Sequence, residues 1–186
     1  MEKFKNLPVI GIDEVGRGSW AGPLVVGAVY LTKPIDGLAD SKLLSINKRI
    51  SIYNQLKKTV AFGLGWVSAS EIDDIGLSLS LKLATAKALE DLNIDLTAPI
   101  IIDGLVNFLP EINDVTLLPK ADQKIPAVSA ASIIAKVARD YRMQELSVEF
   151  PQYGFDKNVG YGTAMHKLAI NKYGFCGLHR RTFKIP

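Results

Sequence analysis

Asp13 and Glu14 close an apolar run, Val9-Ile10-Gly11-Ile12, and a glycine-rich turn, Gly16-Arg17-Gly18, follows at once. Adjacent side chains in a regular strand point to opposite faces, so at least one of these carboxylates must find a partner or water. A chain that carries this cost is using the charge. The pattern recurs in Ile100-Ile101-Ile102-Asp103-Gly104, an apolar run that also ends on an acid and a glycine. A fourth acid, Asp122, lies in Pro119-Lys120-Ala121-Asp122, a few residues before the longest helical segment. Ligand sites in α/β sheets lie at the carboxyl ends of strands. If the two acid-ended strands are central neighbours, Asp13, Glu14 and Asp103 converge at one sheet edge. Clustered carboxylates repel and raise one another's pKa unless a cation intervenes. Hard oxygen ligands without His or Cys suit Mg2+ or Mn2+. Two such ions can activate water and stabilise the leaving oxygen of a phosphodiester. A solvated strand end or a helix cap explains any one of these acids alone, and for Asp122 that plainer explanation stands level with the metal role.

Other residues could meet a substrate. Backbone amides of a Gly-Arg-Gly turn, with the arginine between them, can bind phosphate or a sugar hydroxyl. By itself Gly16-Arg17-Gly18 reads as a plain tight turn; beside the acids it becomes a candidate clamp. Asp40-Ser41-Lys42 places a hydroxyl and a lysine at a helix start, which suits a phosphate and equally a simple cap. Tyr161, flanked by Gly160 and Gly162, can stack on a base or sugar. His179-Arg180-Arg181 either meets backbone phosphates or ends the chain in solvated charge, and His166 reads as a surface residue of a helix.

These groups need a scaffold. Val9 to Ile12 and Leu24 to Leu31 read as buried strands, and the short connection with Gly22-Pro23 predicts an antiparallel pair. Helical pattern runs from Asp40 or Ser41 to about Lys58, from a cap at Ser70, from Leu77 to Leu92, and from Ser129 to Val148. A last helix lies between Gly160 and Tyr173. Thr59 to Val67, Pro99 to Gly104 and Asp114 to Leu118 complete the strands. The expectation is an α/β fold with mixed strand pairing.

At 186 residues the chain suits one domain, 1–186. The net charge of +3 is unevenly spread: residues 150–186 hold six Lys/Arg against one acid, and seven of the 15 aromatics. A basic, aromatic segment can bind a nucleic-acid backbone, or simply be a solvated surface beside an aromatic cluster. The one cysteine, Cys176, excludes an internal disulfide. With no apolar leader and no run long enough to span a bilayer, a cytoplasmic protein with no membrane association is expected.

The ordered motifs together resemble ribonuclease HII, the type 2 ribonuclease H. They run through Gly11-Ile12-Asp13-Glu14-Val15-Gly16-Arg17-Gly18, Ala21-Gly22-Pro23, Asp40-Ser41-Lys42, Ile102-Asp103-Gly104 and Lys120-Ala121-Asp122. They continue in Ser129 to Asp140, Tyr153-Gly154-Phe155, Gly160-Tyr161-Gly162-Thr163 and His179-Arg180-Arg181. The resemblance implies the ribonuclease H-like fold: a mixed five-stranded sheet flanked by helices, with a helical C-terminal part. It implies that Asp13, Glu14, Asp103 and Asp122 bind Mg2+ or Mn2+, and that Gly16, Arg17, Gly18 and Tyr161 read a ribose 2′-hydroxyl at an RNA–DNA junction. Ser41 and Lys42 would hold duplex backbone. The substrates implied are RNA/DNA hybrids and duplex DNA containing ribonucleotides, cut 5′ to a ribonucleotide, by a monomer. Ser19-Trp20, Leu105 and Asn158 depart from the family's commoner residues. The length leaves no room for the extra N-terminal domain of ribonuclease HIII or a long clamp-binding extension. The alternatives are a phosphotransferase or ATPase on a related fold, which needs a second lobe, and a non-catalytic hybrid-binding module, which gains nothing from clustered negative charge. A sugar hydrolase with a carboxylate pair finds no support in the basic, aromatic segment.

Overall fold

The computed structural model describes residues 8–35, 38 and 45–185. Five strands form one sheet: β1 (Val9–Val15), β2 (Leu24–Leu31), β3 (Ala61–Val67), β4 (Ile100–Asp103) and β5 (Val115–Leu118), in the order β3-β2-β1-β4-β5. β1–β2 and β2–β3 are antiparallel; β1–β4 and β4–β5 are parallel, so the pairing is mixed, as expected. β1 is central, and its apolar residues Val9, Ile10 and Ile12 are almost wholly buried.

The helices are α1 (Ile46–Thr59), α2 (Ala69–Leu92), α3 (Pro126–Glu149), the short α4 (Phe155–Asn158) and α5 (Ala164–Tyr173). The alternation of β1 sorts its side chains between two layers. Ile10 and Ile12 join the cluster that includes Ala84, Ala88 and Leu92 of α2. Gly11 lies against α3, where a Cβ would sit 2.2 Å from the carbonyl carbon of Ala127 and 2.3 Å from the amide nitrogen of Val128. Only glycine lets the helix backbone approach the strand this closely. Val29 of β2, Ile52 and Leu56 of α1, and Ile133, Ile134 and Val137 of α3 fill the same layer.

Three boundaries differ from the sequence expectation. Ser68, not Ser70, caps α2: its hydroxyl accepts from Glu71 N, and the Glu71 carboxylate accepts from Ser68 N at 2.7 Å. This reciprocal box satisfies two amide donors where Ser70 would satisfy one. The two helical stretches expected around residue 76 are one span broken at Gly76, whose φ of 77° is not helical. α3 starts three residues before Ser129, because Pro126 at its first turn needs no hydrogen-bond acceptor for a missing N–H. The described part of α1 begins at Ile46, capped by Ser45. The expected start at Asp40 or Ser41, and the substrate role of Ser41 and Lys42, fall outside the described residues.

Candidate active site

Parallel pairing of β1 with β4 places Ile12 beside Ile102. One residue further along each strand, Asp13 and Asp103 therefore stand side by side. Both occupy the face that carries Gly11 and Ile101, toward α3. They line a cavity of about 320 Å³ with Glu14, Val15, Arg49, Ser132, Ile133 and Lys136. Strand ends supply the acids and α3 supplies the opposite wall. Asp13 is buried, at 7% exposure, and Glu14 and Asp103 are half-buried.

Each acid has one oxygen already engaged. Asp13 Oδ1 accepts from Glu14 N at 2.8 Å, Asp103 Oδ1 accepts from Ala121 N at 2.7 Å, and Glu14 Oε1 accepts from Arg17 at 3.4 Å. Burial pushes the Asp13 carboxyl up to about 8; Ser132 pulls against this, and the charges of Glu14 and Asp103 add to it. Burial also raises Glu14, with Arg17 opposing. Asp13 thus sits in a place that disfavours its charge unless a cation arrives.

Asp122 lies in a 3-10 turn, Ala121–Gln123, and is fully buried, but it does not line this cavity. The turn is nonetheless tied to the acids, since Ala121 donates to Asp103. Among the described residues, no three Asp, Glu, His or Cys side chains are drawn together tightly enough to hold a metal ion as they stand. The donor set still fits a hard divalent ion: oxygen only, at two neighbouring strand ends, with a buried acid that a cation would relieve.

The Gly-Arg-Gly turn adjoins this cavity. Gly16 has φ of 84°, and a Cβ there would meet Arg139 Nε at 2.4 Å and Pro23 O at 2.7 Å. Gly16 N donates to the Tyr161 hydroxyl at 3.2 Å, so the structure brings Tyr161 to Gly16, Arg17 and Gly18 across 145 residues. The space above Gly18 is open. The Tyr161 ring lies 5.9 Å from Lys136 Nζ and 5.4 Å from the Arg139 guanidinium.

Two fully buried arginines hold the turn from behind. Arg139 donates to Pro23 O and Val159 O at 2.8 Å, to Ser19 Oγ at 2.9 Å and to Ala21 O at 3.3 Å. Arg180 donates to Gly22 O at 2.9 Å and to Arg17 O at 3.0 Å. Arg180 is therefore a structural brace and does not reach out to a phosphate, as one reading of His179-Arg180-Arg181 allowed. Two of the sequence departures have work here as well. Ser19 receives Arg139, and Asn158 accepts from Gly160 N at 2.8 Å while donating to Tyr153 O at 2.7 Å, which shapes the turn before Tyr161. Trp20 packs where a Cβ on Gly162 would stand. Leu105 is exposed, and nothing in the structure explains it.

Sequence reasoning missed Ser132, Lys136 and Arg139 as site residues. Their signal was a polar stripe at helical spacing inside the otherwise largely apolar Ser129–Arg139 stretch. It also misplaced His166, which is buried against His179 at 3.1 Å between ring nitrogens.

The ribonuclease HII family model matches residues 10–185. The chain belongs to the ribonuclease HII family. The ribonuclease HII of Sulfurovum sp. is 42% identical over 179 residues, covering 96% of this chain and 92% of that one. The ribonuclease HII of Archaeoglobus fulgidus, solved in its complex with PCNA, superposes with a TM-score of 0.82 at 26% identity, covering 97% and 96% of the two chains. The ribonuclease H2 of Pyrococcus horikoshii gives 0.77 at 29% identity, covering 96% and 94%. The chain therefore has the ribonuclease H fold, and the family is one of endonucleases. Among the described residues, no helix is long and apolar enough to cross a membrane.

The buried histidines make the C-terminal cluster acid-labile. Burial pushes His179 down to about 4, and it lowers His166 as well. Both rings are neutral in the fold, whereas in the unfolded chain they take up protons below about 6.5. Their contribution is complete above that value and is lost as pH falls from about 6.5 through 4, at about 1 kcal/mol per pH unit for His179. Asp13, raised in the fold, titrates with the opposite sign, so the comparison must be with His179→Gln. Urea unfolding from pH 7 to pH 4 is expected to show wild type losing stability faster than the variant; parallel curves would exclude this origin.

Proposed function

We propose that this chain is a Mg2+- or Mn2+-dependent endoribonuclease that cuts the RNA strand of RNA/DNA hybrids and nicks duplex DNA 5′ to an embedded ribonucleotide. The observation that carries the reading is that Asp13 and Asp103, each one residue past the paired Ile12 and Ile102, line one cavity beside a Gly-Arg-Gly turn that touches Tyr161. Asp13, Glu14 and Asp103 would hold the divalent ions, with Asp122 on the turn tied to Asp103. Bound there, such ions supply activation of a water and stabilisation of the departing 3′ oxygen.

The chain's own residues do the rest. Asp13 and Asp103 hold oxygens toward the cavity from rigid strand ends, so little reorganisation is needed when charge develops. The backbone of Gly16 to Gly18, held by Arg139 and Arg180, presents its open side to a ribose 2′-hydroxyl, the group that separates RNA from DNA. Tyr161 stacks at the same place. Lys136 and Arg49, in the cavity wall, offer positive charge to neighbouring phosphates, so binding weakens with salt. Residues 150–186 act as the basic, aromatic substrate-binding part of a single unit, 1–186. The protein works as a cytoplasmic monomer that removes ribonucleotides misplaced in DNA.

The test is a pair of labelled duplexes, all-DNA and with one ribonucleotide, each incubated with Mg2+, Mn2+ or EDTA. Nicking beside the ribonucleotide, only with metal, is expected. Tight binding with no nicking would favour a hybrid-binding module instead. Arg17→Ala should narrow the preference for the ribonucleotide-containing duplex about tenfold, an effect of about 1.4 kcal/mol; unchanged preference removes Arg17 from the clamp.

A further inference from the structure

Behind Tyr161 lies a buried chain of hydrogen bonds that the proposed chemistry does not use. His166 Nδ1 is 2.9 Å from Tyr161 O, His166 Nε2 is 3.1 Å from His179 Nε2, and His179 Nδ1 lies 3.0 Å from Cys176 N and 3.2 Å from Cys176 Sγ. His166 and His179 are fully or almost fully buried.

The proton positions follow from the partners. A carbonyl oxygen only accepts, so His166 Nδ1 carries hydrogen and donates to Tyr161 O. A neutral His166 then has a bare Nε2, so His179 must donate from its own Nε2. That leaves His179 Nδ1 bare, and it accepts from the Cys176 amide and thiol. Every ring nitrogen is satisfied in this one arrangement and in no other neutral one. Burial lowers the tendency of both rings to charge, which favours this neutral arrangement. The groups around the pair are the rings of Trp20, Tyr153, Phe155 and Phe175, with Cys176 as the nearest other titratable side chain.

We infer that His166, oriented by His179, is a positioning residue for Tyr161: it pins the tyrosine's carbonyl so that the hydroxyl meets Gly16 N at the ribose-reading turn. The inference rests on the reading of Tyr161 given under Proposed function. The relay reaches across three separate chain segments, from Cys176 through α5 to the turn before it. Tyr161 is fixed at three further points, by Gly16 N at its hydroxyl, by donation of its own amide to Asn158 O at 2.9 Å, and by the cations at its ring. His166 supplies the one tie to its carbonyl among the described residues. A tyrosine pinned in place before substrate arrives loses less freedom on binding.

Two measurements test this. In long-range proton–nitrogen NMR spectra of the purified protein at pH 7, His166 should appear as the Nδ1–H tautomer and His179 as the Nε2–H tautomer. The opposite tautomer on either ring, or a charged ring, overturns the inference. In steady-state nicking of duplex DNA with one ribonucleotide, His166→Phe should raise KM about fivefold or more with kcat changed less than twofold. His166→Asn, whose amide nitrogen replaces Nδ1, should restore KM. If the phenylalanine variant fails to fold, His166→Gln, whose amide reaches only the Nε2 position, takes its place. In a Tyr161→Ala background the His166 change should add less than twofold. An equal penalty in both backgrounds overturns the positioning role while leaving Tyr161 as a substrate contact. No KM change in Tyr161→Ala alone overturns the ribose-reading role and the inference with it.

Discussion

Asp13→Asn is expected to lower the metal-dependent nicking rate by about a thousandfold or more, equivalent to about 4 kcal/mol of transition-state stabilisation, while leaving the fold intact. The amide keeps the shape of the carboxylate and can still accept from Glu14 N through its oxygen. It removes the negative charge that would hold a divalent ion beside Asp103. The same change relieves a cost in the metal-free protein, because burial and the neighbouring carboxylates push Asp13 up to about 8. In EDTA above pH 8 the wild type carries an ionised, buried acid and the variant does not. The variant should therefore melt at the same temperature as the wild type or higher. A variant that loses activity only because it unfolds would break this pairing of effects. So would a variant that keeps more than a tenth of the wild-type rate.

Arg139→Leu should cost about 4 kcal/mol of stability, and it should do so by undoing the Gly-Arg-Gly turn. The guanidinium is fully buried and donates to three carbonyls and a serine hydroxyl that leucine leaves without a donor. Each buried acceptor stranded in this way costs about 1–3 kcal/mol, and partial access of water to some of them lowers the sum. The Arg139 side chain also lies where a Cβ on Gly16 would stand, so the turn's backbone is shaped around it. Urea denaturation measures the stability, and a loss under 1 kcal/mol would show that the turn holds itself. Arg139→Lys should recover little, since one ammonium cannot serve acceptors spread around a planar fork.

The acids were legible because strand alternation and glycine punctuation act locally. Ile12-Asp13 and Ile102-Asp103 each end an apolar run, and they meet because α2 carries the chain from β3 past β2 and β1 to β4, which then pairs in parallel with β1. Tyr161 was legible as an aromatic between glycines, but its contact with Gly16 spans 145 residues, and no local pattern reports such a distance. Arg180 and His166 were misread for the same reason. Charged and polar types are mostly exposed, and only the surrounding carbonyls and rings, contributed by distant segments, show that burial is satisfied. Asp122 stands between these cases: its turn is bonded to Asp103, yet its own side chain is buried apart from the cavity.

The claim that joins these elements is that the strand-end carboxylates hold a divalent ion. Manganese titration of the full chain, followed by electron paramagnetic resonance, tests it most directly. The wild type should remove free Mn2+ signal with saturation, and Asp13→Asn combined with Asp103→Asn should abolish that uptake while the protein stays folded. Undiminished, saturable binding by the doubly neutralised protein would contradict a metal site at Asp13 and Asp103.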